Sequence, residues 1–259
     1  MRYIDLAFAS RPEGFDDRVS AALSDGLGRI DEHSSVWRDC KEHLKQASYH
    51  KCFYCESKEV RSDGAVDHFR PKSVYPWSAF RFSNFRYACT FCNSLRKDKR
   101  TGETGGKGNQ FPLFYEDRRA TCIAEECHEQ PKLIDPCRAG DPIEIDFSSD
   151  GRAVPAYSSE GDRRCERGKI SVKAYHLNHT AFVEERSKHK IILVEKIRAA
   201  CAAHESYSLG NPDAKIRLDD AIADLHRAIQ PQSVYSVFSK KILKLHREDP
   251  LIDAILRTA

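Results

Sequence analysis

Residues 52–97 read CFYCESKEVRSDGAVDHFRPKSVYPWSAFRFSNFRYACTFCNSLRK. Two CxxC pairs bracket the stretch: Cys52 with Cys55, then 33 residues, then Cys89 with Cys92. Each pair offers two thiolates from one short turn. Two such knuckles complete a tetrahedron around one zinc ion, with Zn–S distances of about 2.3 Å. Protein sulfur then fills every position and none is left for a reactive water, so the expected metal is structural. It supplies folding energy that a small, loop-rich segment cannot draw from its own core. The alternative is four buried or redox thiols.

Between the knuckles stands Val66-Asp67-His68-Phe69-Arg70-Pro71-Lys72; Asn84 follows His68 by sixteen residues, and Asn93 directly follows the last cysteine. Glu59-Val60 and Ala65-Val66 flank the tight-turn signal Ser62-Asp63-Gly64, which predicts a β-hairpin with Asp67 and His68 at the end of its second strand. A loop with Pro71 and Pro76 follows, and Cys92–Lys97 reads as the start of a helix. In that order of strand, strand, loop and helix, the second knuckle holds Asn93 against the strand end. Asp67 and Asn93 then offer oxygen atoms to one hard cation, Mg²⁺ or Mn²⁺. His68 stands beside them as a base with a pKa suited to activating water at neutral pH. Taken singly, an Asp-His pair is usually a capped turn and an Asn after a cysteine is usually a cap. The interleaving with both knuckles carries the reading.

This arrangement resembles the HNH (ββα-metal) endonucleases. The resemblance implies His68 as general base, Asp67 as the metal-binding acid, Asn84 as the middle Asn that orients loop and base, and Asn93 as the second metal ligand. The run from His68 to Trp77, the later Phe111-Pro112-Leu113 and Leu133-Ile134-Asp135-Pro136, and Leu177-Asn178 resemble the PtuB family, the HNH subunits of Septu and certain retron anti-phage systems. That similarity covers roughly residues 50–185. It implies a bacterial, cytoplasmic endonuclease acting with a cognate ATPase, PtuA. In a retron context the partners would include a reverse transcriptase and its RNA–DNA product. Glu56 fits the family's Cys-Glu pair and is a further metal candidate, whereas Asp135 lies outside the core and reads as structural.

From Lys58 to Arg100 there are ten Lys/Arg against four Asp/Glu, a local +6 in a chain of net +3. The basic charge is thus concentrated on the knuckle segment, as a phosphate-binding surface requires. Arg70, Lys72, Arg81, Arg86, Arg96, Lys97, Lys99 and Arg100 are the candidate contacts to nucleic acid, with DNA favoured over RNA; the bland alternative is a solvated basic face. Such contacts are blind to sequence and sensitive to salt. Trp77 or Tyr75 could stack on a base.

Working outward, the 259 residues are 40% apolar and 31% charged, ordinary for an ordered protein. The start MRYIDLAFASRPEGF has no signal-peptide pattern, and no run approaches the ~20 apolar residues of a membrane span. A cytosolic placement with no membrane partner is expected, which favours metal-binding over disulfide-forming cysteines. Cys40, Cys122, Cys127, Cys137, Cys165 and Cys201 show no comparable pattern.

The expected fold is α+β, a small zinc-stabilised ββα-metal module embedded in a mainly helical protein. Residues 1–50 form a helical start, with Phe15, Val19, Ala22 and Leu23 and then Val36, Trp37, Cys40 and Leu44 at packing spacing. The module takes 51–110, including TGETGGKGNQ at 101–110 as a mobile loop. An irregular stretch over 111–170 has candidate strands near 133–134 and 143–147 and a turn at Asp150-Gly151. Helices over 171–259 carry two apolar stripes separated by Pro231. The competing functions are a non-catalytic zinc module that binds nucleic acid and an adaptor for an ATPase.

Overall fold

The computed structural model describes residues 1–58 and 63–258. Helices α1 (Phe15–Ser24), α2 (Ser35–Arg38) and α3 (Lys41–Ala47) open the chain. Phe15, Ala22, Val36, Trp37, Cys40 and Leu44 are buried, while Leu23 stays at the surface. Strand β1 (Ala65–His68) pairs antiparallel with β2 (Phe85–Ala88), placing Asp67 opposite Arg86 and His68 opposite Phe85. The expected partner Glu59-Val60 lies outside the described residues. The observed partner comes from beyond the Pro71/Pro76 loop.

Period-two alternation puts successive side chains of these strands on opposite faces. Phe85 and Tyr87 join Trp37, Leu44, Phe53 and Phe80 in a core against the N-terminal helices. Ala88 joins the four knuckle cysteines, Phe69 and Phe111 in a second core shared with the C-terminal helices. The small sheet is the partition between the two.

Helix α4 (Thr90–Asn93) follows β2 and lasts one turn. The helix expected over 92–97 does not extend, because other donors take the carbonyls it would use. Lys107 N–H bonds to Cys92 O at 2.8 Å and Gly108 N–H to Asn93 O at 2.7 Å. Arg96–Lys97 instead forms β3, paired with β4 (Thr104–Gly105). The expected mobile loop is therefore partly a packed element: Gly105, Gly106 and Lys107 are buried. At Gly106 φ is +111°, and a Cβ there would lie 2.0 Å from Ser94 O. Glycine serves close backbone approach here rather than mobility.

Strands β5 (Ile145–Phe147) and β6 (Ala153–Pro155) form a hairpin around the Asp150-Gly151 turn. Leu133 and Ile134 are fully buried but outside any strand. Five helices close the chain: α5 (Arg163–Ala174), α6 (Thr180–Ser208), α7 (Ala214–Ile229), α8 (Ser236–Lys244) and α9 (Pro250–Arg257). Leu218, Leu225 and Ile229 of α7 and Phe238 and Ile242 of α8 are buried along the expected stripes, and Pro231 falls in the break. Among the described residues, no helix is long and apolar enough to cross a membrane. The whole is a mixed structure of helices and small two-stranded sheets.

Candidate metal centre and neighbouring polar site

Cys52, Cys55, Cys89 and Cys92 come together, all buried, with their sulfurs within 4.8 Å of one another. The Cys55 and Cys89 sulfurs are 3.7 Å apart. Four thiolates about 2.3 Å from a central zinc stand some ~3.8 Å apart, so spacing and soft donor chemistry both fit that ion. A zinc tetrathiolate carries a net charge of −2, and buried cations lie near it. The fully buried Arg186 of α6 feels the charge of Cys55 and Cys92, though burial pulls its pKa down. Its Nε and Nη2 donate to the carbonyls of Gly151 and Leu177, each at 2.6 Å.

The strand alternation that divides the core also separates Asp67 from His68. The His68 imidazole packs edge-on against Trp37 and Phe85, and its Nε2 lies 2.8 Å from Ala79 O. A carbonyl only accepts, so Nε2 carries the proton and Nδ1 holds the lone pair. Burial lowers the His68 pKa below 6.5, outweighing the carbonyl bond and the Asp67 charge. The ring is therefore neutral at pH 7.

Asn84 holds the loop that supplies Ala79. Its Oδ1 accepts from Arg70 N–H at 2.8 Å, and its Nδ2 donates to Arg70 O at 2.9 Å and to Ser78 Oγ at 3.1 Å. Asn84 O accepts from Phe69 N–H at 2.8 Å. One buried amide thus clamps both ends of the turn beside His68.

Asp67 is 5% exposed and its carboxylate is engaged twice. Oδ2 accepts from the Tyr54 hydroxyl at 2.5 Å, and Oδ1 pairs with Lys107 Nζ at 3.0 Å. Asn93 is half-buried at the end of α4, linked to this region through the backbone bond of its carbonyl to Gly108. Among the described residues, the only cluster of His, Cys, Asp and Glu able to hold a metal is the four-cysteine group. Asp67 as placed does not fit a divalent ion, because an ammonium and a phenol already take up its oxygens.

Glu56, the further metal candidate, serves elsewhere: its carboxylate accepts from Ser236 Oγ at 3.2 Å and Val237 N–H at 3.3 Å, capping α8. The basic candidates divide. Arg86 is withdrawn from any phosphate: it is 3% exposed and bound bidentately to Asp135 at 2.8 and 2.7 Å, which raises its pKa despite burial. Asp135 is structural, as expected. Arg70 pairs with Glu126 and Glu129, Arg81 with Glu126, and Lys72 with Asp31. Arg96, Lys97, Lys99 and Arg100 remain exposed along a cleft of about 540 Å³ with Phe91 and His179; Arg100 pairs there with Glu184. Tyr75 is fully buried and so is unavailable for base stacking, while Trp77 is partly buried.

Two residues at this site escaped the sequence reading. Trp37 carried only a packing signal. Lys107 lay in a glycine-rich run with no ligand pattern, and nothing local distinguishes it from a solvated lysine.

Fold and site together define a mixed helix-and-strand protein built on a buried four-cysteine centre able to hold zinc. No family model matches the chain. The chain is similar to Septu protein PtuB of Bacillus mycoides (strain KBAB4), 30% identical over 162 residues, or 57% of this chain and 50% of that protein. It spans about half the length of the curated relative it matches.

Proposed function

We propose that this chain is the nuclease subunit of a Septu-type anti-phage assembly, a metal-dependent endonuclease that hydrolyses phosphodiester bonds and works with a cognate ATPase of the PtuA kind. The likeness to Septu protein PtuB supports the defence role and the partnership. The observation that carries the chemistry is the His68–Ala79 contact at 2.8 Å. It holds the imidazole in the tautomer of a general base, and burial keeps that base neutral at physiological pH.

In this reading His68 Nδ1 takes the proton from the attacking water as the new O–P bond forms and the P–O bond to the 3′ oxygen breaks, the leaving oxygen taking its proton from solvent. Asn84 is a positioning residue acting through the loop that carries Ala79. The exposed Arg96, Lys97, Lys99 and Arg100 contact phosphates without reading sequence, DNA being favoured. Asp67 and Asn93 are the donors this reading assigns to Mg²⁺ or Mn²⁺. Because Asp67 is already committed, no step is routed through that ion.

The test is a phage-protection and cleavage assay with the partner ATPase present. His68→Ala should retain zinc and fold but lose both cutting and protection. Protection that survives His68→Ala would make the chain an adaptor. Salt-dependent binding without cutting, in the activated assembly, would make it a binding module.

A further inference from the structure

Helix α5 ends in a tight chain reversal: His176 N–H bonds to Lys173 O at 3.1 Å and Leu177 N–H to Val172 O at 3.0 Å. That pattern puts His176, with φ of +52°, at the left-handed position where glycine or asparagine is the usual residue. His176 is 5% exposed, yet neither ring nitrogen has a hydrogen-bond partner among the described residues. Burial first, and then His179, lower its pKa against the pull of Asp98 and Glu103, so the ring is neutral and holds one N–H and one lone pair. Backbone strain and two unmatched buried nitrogens both act against histidine at this position.

His176 lines a cavity of about 610 Å³ together with Lys169, Lys173, Glu103 and Thr104. Gly105 lets strand β4 lie against the Cγ–Cδ2 side of the ring, where a Cβ would come 2.4 Å from Cγ. Lys169 and Lys173 are exposed one turn apart on α5, and no carboxylate pairs with either among the described residues. Like charges at that spacing repel, and an anion between them relieves the repulsion. A bare phosphate would meet the Glu103 carboxylate and offer the imidazole acceptors only. A phosphate ester with hydroxyl groups also brings donors, for Glu103 and for the imidazole lone pair. We propose that this cavity binds a small phosphate monoester with free hydroxyl groups, a nucleotide or a sugar phosphate. Lys169 and Lys173 hold its phosphate, and His176 and Glu103 hold its hydroxyl-bearing part. The His176 nitrogens are covered in the empty cavity, so the ring turns slightly toward the ligand to engage it. The volume suits a ligand of that size.

The experiment is calorimetric titration of the zinc-loaded full chain with adenosine 5′-monophosphate, ribose 5-phosphate and inorganic phosphate. It compares the wild type, His176→Asn and the double variant Lys169→Ala/Lys173→Ala. At least one ester should bind with a Kd below about 1 mM and about ten-fold more tightly than inorganic phosphate, and the tighter of the two tells nucleotide from sugar phosphate. Each variant should weaken that binding about ten-fold or more. Asparagine tolerates the left-handed position, so His176→Asn should keep its urea midpoint while losing the ligand. The absence of ester binding, inorganic phosphate binding as tightly as the esters, or ester binding that survives the variants overturns the proposal. Should His176→Asn fail to fold, the lysine variant decides alone, because it alters only exposed side chains. No catalytic metal or nucleic acid enters the measurement, so its result stands apart from the nuclease reading.

Discussion

The indole of Trp37 meets the imidazole of His68 edge to face, with ring centroids 5.1 Å apart and planes at 76°. Lys72 Nζ stands 5.6 Å from the centre of the same indole and pairs with Asp31. An N-terminal segment without any catalytic motif therefore builds one wall of the candidate base and accounts for part of its desolvation.

Trp37→Ala should raise the His68 pKa toward 6.5, since burial is the main force lowering it. Proton NMR titration of the imidazole checks this, and an unmoved pKa would assign the desolvation to other neighbours. The sign for stability follows from the same shift. Below pH 6.5 the unfolded chain takes up the proton first, so this contribution is present above 6.5 and lost as pH falls through the folded pKa. Burial lowers His176 and His189 in the same direction. Urea midpoints should therefore fall on acidification from pH 7 to 5.

Asn84→Ala removes hydrogen bonds to Arg70 and Ser78 and leaves the part-buried backbone N–H and C=O of Arg70 without these partners. A loss of about 2–4 kcal/mol is expected, read as a lower urea midpoint at unchanged slope. The Ala79 carbonyl loses its support with the loop. The His68 ring signals should shift with it, and fixed His68 signals would deny Asn84 a positioning role.

Zinc should be present at about one per chain by elemental analysis, and Cys92→Ser should reduce it sharply. The cysteines belong to the core shared with the C-terminal helices. Strong chelation is therefore expected to unfold more than the module, with loss of helical circular dichroism. Full helicity in a zinc-free chain would show that the thiols pack well enough without metal.

Glu126 binds Arg70 and Arg81 together, at 2.7 and 2.5 Å. If Arg70 and Arg81 serve the proposed nuclease as phosphate contacts, this carboxylate competes with the phosphate for them. Glu126→Ala should raise affinity for nucleic acid roughly three- to ten-fold and steepen the salt dependence by about one to two released ions. Fluorescence anisotropy across a salt series reads both. An unchanged slope would mean that those arginines remain masked by Glu129 or lie off the binding track.

The sequence by itself determined what short spacing and side-chain chemistry dictate. Two CxxC pairs specify a four-sulfur centre, apolar stripes at helical period specify the buried faces of α7 and α8, and Asp150-Gly151 specifies a turn. The tertiary structure decided which distant segments meet. Strand β1 took its partner from residues 85–88, across a loop whose closure depends on buried Asn84. In a run that locally reads as mobile, Gly106 permits close backbone packing against Ser94 beside the knuckle, and Gly105 permits packing against His176. Arg86 became structural and Lys107 entered the site because a buried charge must find an opposite one. Asp135 and Asp67 met those needs from 49 and 40 residues away, beyond the range of any local pattern.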